Sequence, residues 1–269
     1  MKGAYDINGI NDVCETLDCI ANVYRIKGEN QKALQFFEQC LKRRVRIVSS
    51  AALSEKAQVS LLLRTYDDVI SLTKLQLKSE LVDVTNKNQL SEKIGTLLVE
   101  MGVIYDQRLK KDSKALVYLQ KALQVFQQKK DYQQIGRTLS LIGVIHVRKP
   151  DNQKAIKCFK DSLVMRKMSN PKKETAGIAD TLHNIGNCEA REGKFEESLR
   201  SYREALRIKE NVFPNEQHLS IAKTQHCMGL AILQLGELDD ALDSFELALK
   251  ARRKLLGRNH LDVSFSLHR

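Results

Sequence analysis

The chain repeats its own grammar. Residues 16–41, TLDCIANVYRIKGENQKALQFFEQCL, and residues 181–206, TLHNIGNCEAREGKFEESLRSYREAL, carry the same residue types at the same offsets. Thr-Leu comes first, then Ile with a small residue, then Gly, then Ala or Ser, an aromatic and a final Leu. Self-similarity at a period of a few tens of residues constrains a fold more tightly than composition does. Every unit must be built alike, and each must find something to cover its apolar face. With Thr16 as the first anchor, the equivalents are Leu97, Thr138, Thr181, Thr224 and Ser266, at steps of 81, 41, 43, 43 and 42 residues. The first step is close to two periods, so residues 51–91 are expected to hold one degenerate repeat, either a hairpin or one long bent helix. The expected units are about 11–50, 51–91, 92–131, 132–173, 174–216 and 217–259, with a partial one at 260–269, in a single solenoid over 1–269.

Each unit reads as two helices. In the first, apolar residues recur at helical spacing, as in Leu17, Ile20 and Tyr24 or Leu98, Met101 and Tyr105. Ala21, Gly102, Gly143, Gly186 and Gly229 share one position there. A mid-helix glycine costs about 1 kcal/mol against alanine, so its recurrence predicts that a neighbouring helix passes close. The second helix alternates small and bulky residues: Ala33, Phe37 and Cys40 in one unit, Ser198, Tyr202 and Ala205 in another. Such a face nests between neighbouring helices. Gly28, Gly193 and Gly236 stand between the helices, where a left-handed residue ends the first of them. Pro150 and the longer LKKDSK connection mark two turns expected to differ.

A single hairpin cannot bury both its faces, so the units must stack. The expected architecture is all-α, a right-handed superhelical solenoid of helix-turn-helix hairpins. These small–aliphatic and small–aromatic–small signatures resemble the tetratricopeptide repeat, over roughly residues 11–50 and 92–269. A period near 42 exceeds that family's usual length of about 34 and is similar to the longer repeats of kinesin light chains. The stretch ALKARRKLLGRNHLDV, residues 248–263, resembles their repeat junction.

The resemblance implies a concave groove lined by first-helix residues. In the family's carboxylate-binding members, ligand contacts come from first-helix positions that correspond here to Asn22 and Arg25 in unit one, with Glu15 and Asp18. They correspond to Arg137, Ser140, Val144 and Arg148 in unit four, and to Asp180, His183, Asn187 and Arg191 in unit five. In unit six they are Lys223, His226, Leu230 and Gln234. His183, Asn187 and Arg191 lie four residues apart and so form one stripe, able to donate to carboxylates and to an extended backbone. His183 and His226 are expected to face solvent in the groove. Cations outnumber carboxylates along units four to six, so an acidic ligand is expected to dock there.

Composition excludes several alternatives. Lys and Arg number 44 against 33 Asp and Glu, a formal charge of +11 that favours acidic partners. Arg44, Arg166, Lys209 and Arg252 recur near the end of the second helix, where cations complement the helix dipole by about 0.3–1 kcal/mol each. No aromatics interleave them, so nucleic acid is not expected as a partner. The six cysteines form no CxxC pair and read as small buried thiols, without a metal or other cofactor. No apolar run approaches the roughly 18 residues of a membrane span, and no signal-like segment opens the chain. In GNCEAREGKF, residues 186–195, the glycines are too far apart for a phosphate loop and no hydroxyl follows the lysine.

The expected protein is therefore not an enzyme. It reads as a cytoplasmic scaffold or adaptor that binds a peptide segment of a partner protein in its groove. Cargo recognition and cytoskeletal association are implied by the kinesin light chain resemblance. A self-association module, with residues 260–269 as the stacking edge, or a regulatory repeat domain of a larger signalling protein are the alternative readings.

Overall fold

A computed structural model of the protein describes residues 7–49, 56–78, 83–213 and 218–256. The partial unit expected at 260–269 lies outside these residues. Among the described residues all regular structure is α-helical, in two compact units, Met1–Lys130 and Asp131–Arg269.

The first unit contains α1 (Ile7–Ile26), α2 (Asn30–Ser49), α3 (Lys56–Leu77), α4 (Val84–Gln107) and α5 (Asp112–Lys129), each packed on the one before. The second contains α6 (Tyr132–Arg148), α7 (Asn152–Ser169), α8 (Ala176–Arg191), α9 (Phe195–Val212), α10 (Leu219–Leu235) and α11 (Leu238–Leu256). Here too each helix packs on its predecessor, and α8 also touches α6 and α10. First helices thus form one layer of the second unit.

Residues 56–77 form the single helix α3, and α4 starts at Val84, well ahead of the Leu97 anchor. No glycine or proline occurs within α3, which runs unbroken over its 22 residues.

The recurrent glycines do what their position implied. A Cβ added to Gly143, Gly186 or Gly229 would meet the ring of Phe159, Tyr202 or Phe245 at 2.7, 2.7 and 2.9 Å; at Gly102 the neighbour is Leu119 at 2.8 Å. Burying such a ring gains about 1.5–3 kcal/mol and offsets the weaker helix propensity of glycine. The second helix of each hairpin therefore lies flush on the first. Turns follow the sequence as well. Gly28, Gly193 and Gly236 take the left-handed conformation at φ 77, 75 and 85°, while Lys110 takes it between α4 and α5 at φ 53°.

Candidate functional site

An open cleft of about 490 Å³ lies in the second unit, along the layer made by α6, α8 and α10. Val144 of α6, Asn187, Ala190 and Arg191 of α8, and Leu230 and Gln234 of α10 line it. The repeat places them: Val144, Asn187 and Leu230 occupy one position of three successive first helices, and Arg191 and Gln234 occupy the next position of two. Phe159, Phe195 and Tyr202, from the second helices, form the apolar floor.

Polar groups in the cleft are held in place. The Tyr202 hydroxyl donates to Asn187 Oδ1 at 2.7 Å, fixing the amide so that its nitrogen remains a donor. Arg191 Nη1 donates to the carbonyl oxygen of Val147 at 3.0 Å, so α8 is tied to the end of α6. Burial pushes the Tyr202 phenol and the Cys227 thiol, both in the wall, above their ordinary ranges. Both stay protonated at neutral pH. The arrangement offers an apolar trough with amide and guanidinium donors along one rim, suited to holding a peptide backbone and a carboxylate.

His183 departs from the expected stripe. It is 4% exposed, buried beneath the cleft with its ring centroid 5.5 Å from that of Tyr202. Its Nδ1 lies 3.2 Å from Thr224 Oγ1. That hydroxyl already accepts from Lys209 Nζ at 3.0 Å and donates to the Ser220 carbonyl at 2.9 Å. The network therefore assigns the imidazole proton to Nδ1 and leaves Nε2 a buried lone pair without a partner. Burial, with Lys209 and Lys223 nearby, pulls the His183 pKa down to about 3. It is a neutral core residue. Consecutive helical turns do not all face one way, because 3.6 residues per turn rotates an i, i+4, i+8 stripe from groove to core.

The other sequence candidates separate. Arg137, Arg148 and Lys223 are exposed and do not line the cleft. His226, expected to face solvent, is half-buried with its ring centroid 5.4 Å from that of Phe245. In the first unit, Asn22 Nδ2 donates to the Asp18 carbonyl at 2.8 Å, and Arg25 pairs with Asp68 of α3 at 3.3 Å. Ser140 is drawn away from the cleft, 2.7 Å from Ser162 Oγ.

The recurrent cations near second-helix ends also differ from the helix-dipole reading. Arg44 and Lys209 are buried and reach a threonine of the helix packed next: Arg44 donates to Thr65 of α3, Lys209 to Thr224 of α10. Arg44 pairs with Asp18 at 2.7 Å, Lys209 with Asp180 at 3.1 Å. The Arg166 guanidinium lies over Gly177 of α8, where any Cβ would overlap Nη1. Their role is to brace neighbouring hairpins. The recurrence was visible in the sequence, but burial depends on how the next hairpin stacks.

Among the described residues no helix is long and apolar enough to cross a membrane, and no cluster of His, Cys, Asp and Glu could hold a metal ion. Family models described as tetratricopeptide repeat match residues 13–51, 179–212 and 221–262. These stretches of the chain are tetratricopeptide repeats. Solved structures with the same fold include BtubC (BKLC) from P. vanneervenii, 12% identical over 84% of this chain and 91% of that one, with a TM-score of 0.57. The apo form of RapI is 19% identical over 73% of this chain and 68% of its own, with a TM-score of 0.52. NprR in complex with its cognate peptide NprX is 17% identical over 99% of this chain and 74% of its own, with a TM-score of 0.51. No curated protein matches the sequence. At these identities the likeness concerns the fold.

Proposed function

We propose that the protein is an interaction scaffold, holding an extended, acidic peptide segment of a partner in the cleft on α6, α8 and α10. The observation that carries this reading is the cleft itself, an apolar trough bordered by Asn187, Arg191 and Gln234 from successive hairpins. A side chain of the peptide seats on the floor. The Asn187 amide donates to its backbone, and Arg191 faces a carboxylate. Exposed Arg137, Arg148 and Lys223 add long-range attraction that speeds encounter with acidic ligands. Recognition needs no chemistry by the protein, which acts as a non-enzymatic adaptor. NprR, solved with its cognate peptide, supports a peptide as ligand. The junction at residues 248–263 extends the proposal to cargo recognition of the kinesin light chain kind, in the cytoplasm.

The test exploits an absence. The chain has no tryptophan, so a Trp-containing acidic peptide reports its own binding by fluorescence. Titration at two salt concentrations is expected to give saturable binding, weaker at high salt. The Asn187→Ala, Arg191→Glu double variant is expected to lose it by about tenfold or more. Binding indifferent to that variant overturns the assignment.

A further inference from the structure

We propose that copies of this protein associate head to tail, the bare face of α1 in one copy seating on the bare face of α11 in another. The inference goes beyond the peptide-binding reading and uses none of the cleft residues.

The repeat register shows what these faces are built to meet. Leu199 of α9 and Ala231 of α10 share one core cluster, 5% and 2% exposed, because α10 covers α9. One period on from Leu199 stands Leu242 of α11, which is 58% exposed. At the α1 position equivalent to Ala231 stands Val23, 50% exposed. The pattern extends along both helices. Leu238 is exposed where its equivalent Phe195 is half-buried, and Val13 is exposed where its equivalents Ile178 and Ile221 are buried. Thus α11 presents the surface that α9 gives to α10, and α1 presents the surface that α10 gives to α9. An α1 helix from a second copy fits the trailing face in the register already used inside the chain.

Charge favours the same pairing. In the α9–α10 register, the end of the second helix lies against the start of the first, as Lys209 meeting Ser220 and Thr224 shows. Transferred to two copies, exposed Arg253 and Lys254 at the end of α11 come beside exposed Asp12 and Glu15 at the start of α1. Such a contact joins two different surfaces, so it extends to an open chain or closes to a ring.

Light scattering across a concentration series tests this. The wild-type mass is expected to rise above one chain, and less so at high salt. Leu242→Glu and Val23→Glu lie at exposed positions, so each is expected to keep its helix content and melting temperature while weakening association by about tenfold or more. Mixed one to one, the two variants are expected to form a two-chain complex and nothing larger, because each keeps one intact face. The Asn187→Ala, Arg191→Glu variant is expected to associate as the wild type does, which separates this inference from the peptide reading. A single-chain mass at all concentrations, or variants that fail to pair when mixed, overturns the proposal. Association that appears only after deleting residues 257–269 also overturns it, since the chain's own tail is then the occupant of the α11 face.

Discussion

Arg44 in the first unit and Lys209 in the second stand at the same repeat position, both buried and both donating to a threonine of the next helix. Their carboxylates differ. Asp18 meets Arg44 from a half-buried position, its side chain 27% exposed, whereas Asp180 meets Lys209 from the rim at 61%. In the second unit the position of Asp18 is taken by His183. One steric slot thus has two electrostatic solutions, a sheltered ion pair in one unit and a neutral imidazole with an outlying carboxylate in the other. The scaffold fixes where a cation goes and leaves open how it is neutralised.

The largest effect expected from this comparison comes from exchanging the residues in the sheltered pair. Asp18→His leaves the Arg44 guanidinium buried beside an imidazole, without its carboxylate. A loss of about 3–5 kcal/mol is expected by urea denaturation, because an uncompensated buried charge is costly. A loss below about 1 kcal/mol would show that Arg44 finds water or another partner, and the contrast between the units would collapse.

Acid should act on the second unit through His183. Its folded pKa of about 3 lies below the ordinary value near 6.5. The unfolded chain therefore binds this proton first as pH falls. Stability from the neutral imidazole is complete above about pH 6.5 and falls toward pH 3, by up to about 1.4 kcal/mol per pH unit. His183→Asp copies the first unit by placing a carboxylate beside Lys209. It is expected to move the onset of acid loss from about pH 6.5 to about pH 4, read from melting temperatures across a pH series. An unchanged onset would mean that another group governs acid sensitivity.

The smallest effect sharpens the contrast. Asp180→Ala removes an exposed partner of Lys209, and a loss of no more than about 1 kcal/mol is expected in the same urea experiment. Equal losses for Asp180→Ala and Asp18→His would erase the distinction between rim and sheltered carboxylates.

Much of the architecture was legible because stacking imposes local rules. Glycine under a ring and a left-handed glycine between helices are demands of one hairpin, and they recur at Gly143, Gly186 and Gly229 and at Gly28, Gly193 and Gly236. The cleft positions Val144, Asn187, Arg191, Leu230 and Gln234 were likewise readable as equivalent first-helix sites. His183 was not, because a polar residue in a stripe carries no mark of whether its side of the helix is covered. The buried cations escaped for a related reason. Their recurrence suits a helix end in solvent as well as a brace beneath the next hairpin, and only the angle of stacking decides. The ends of α2 and α3 carried no such mark: no glycine or proline stands between Glu29 and Ile94, so a hairpin and one long bent helix were equally open for residues 51–91.

The flush joints of Gly143 on Phe159, Gly186 on Tyr202 and Gly229 on Phe245 have a consequence for how such a chain changes length. Thr138, Thr181 and Thr224 are separated by equal steps of 43 residues. A gene duplication that copies one such step inserts a hairpin whose two faces already match those of its new neighbours. Deletion of one step rejoins the same two faces. Length can therefore drift during evolution as whole interchangeable modules, while insertion of a fraction of a step would misalign the hairpin it interrupts.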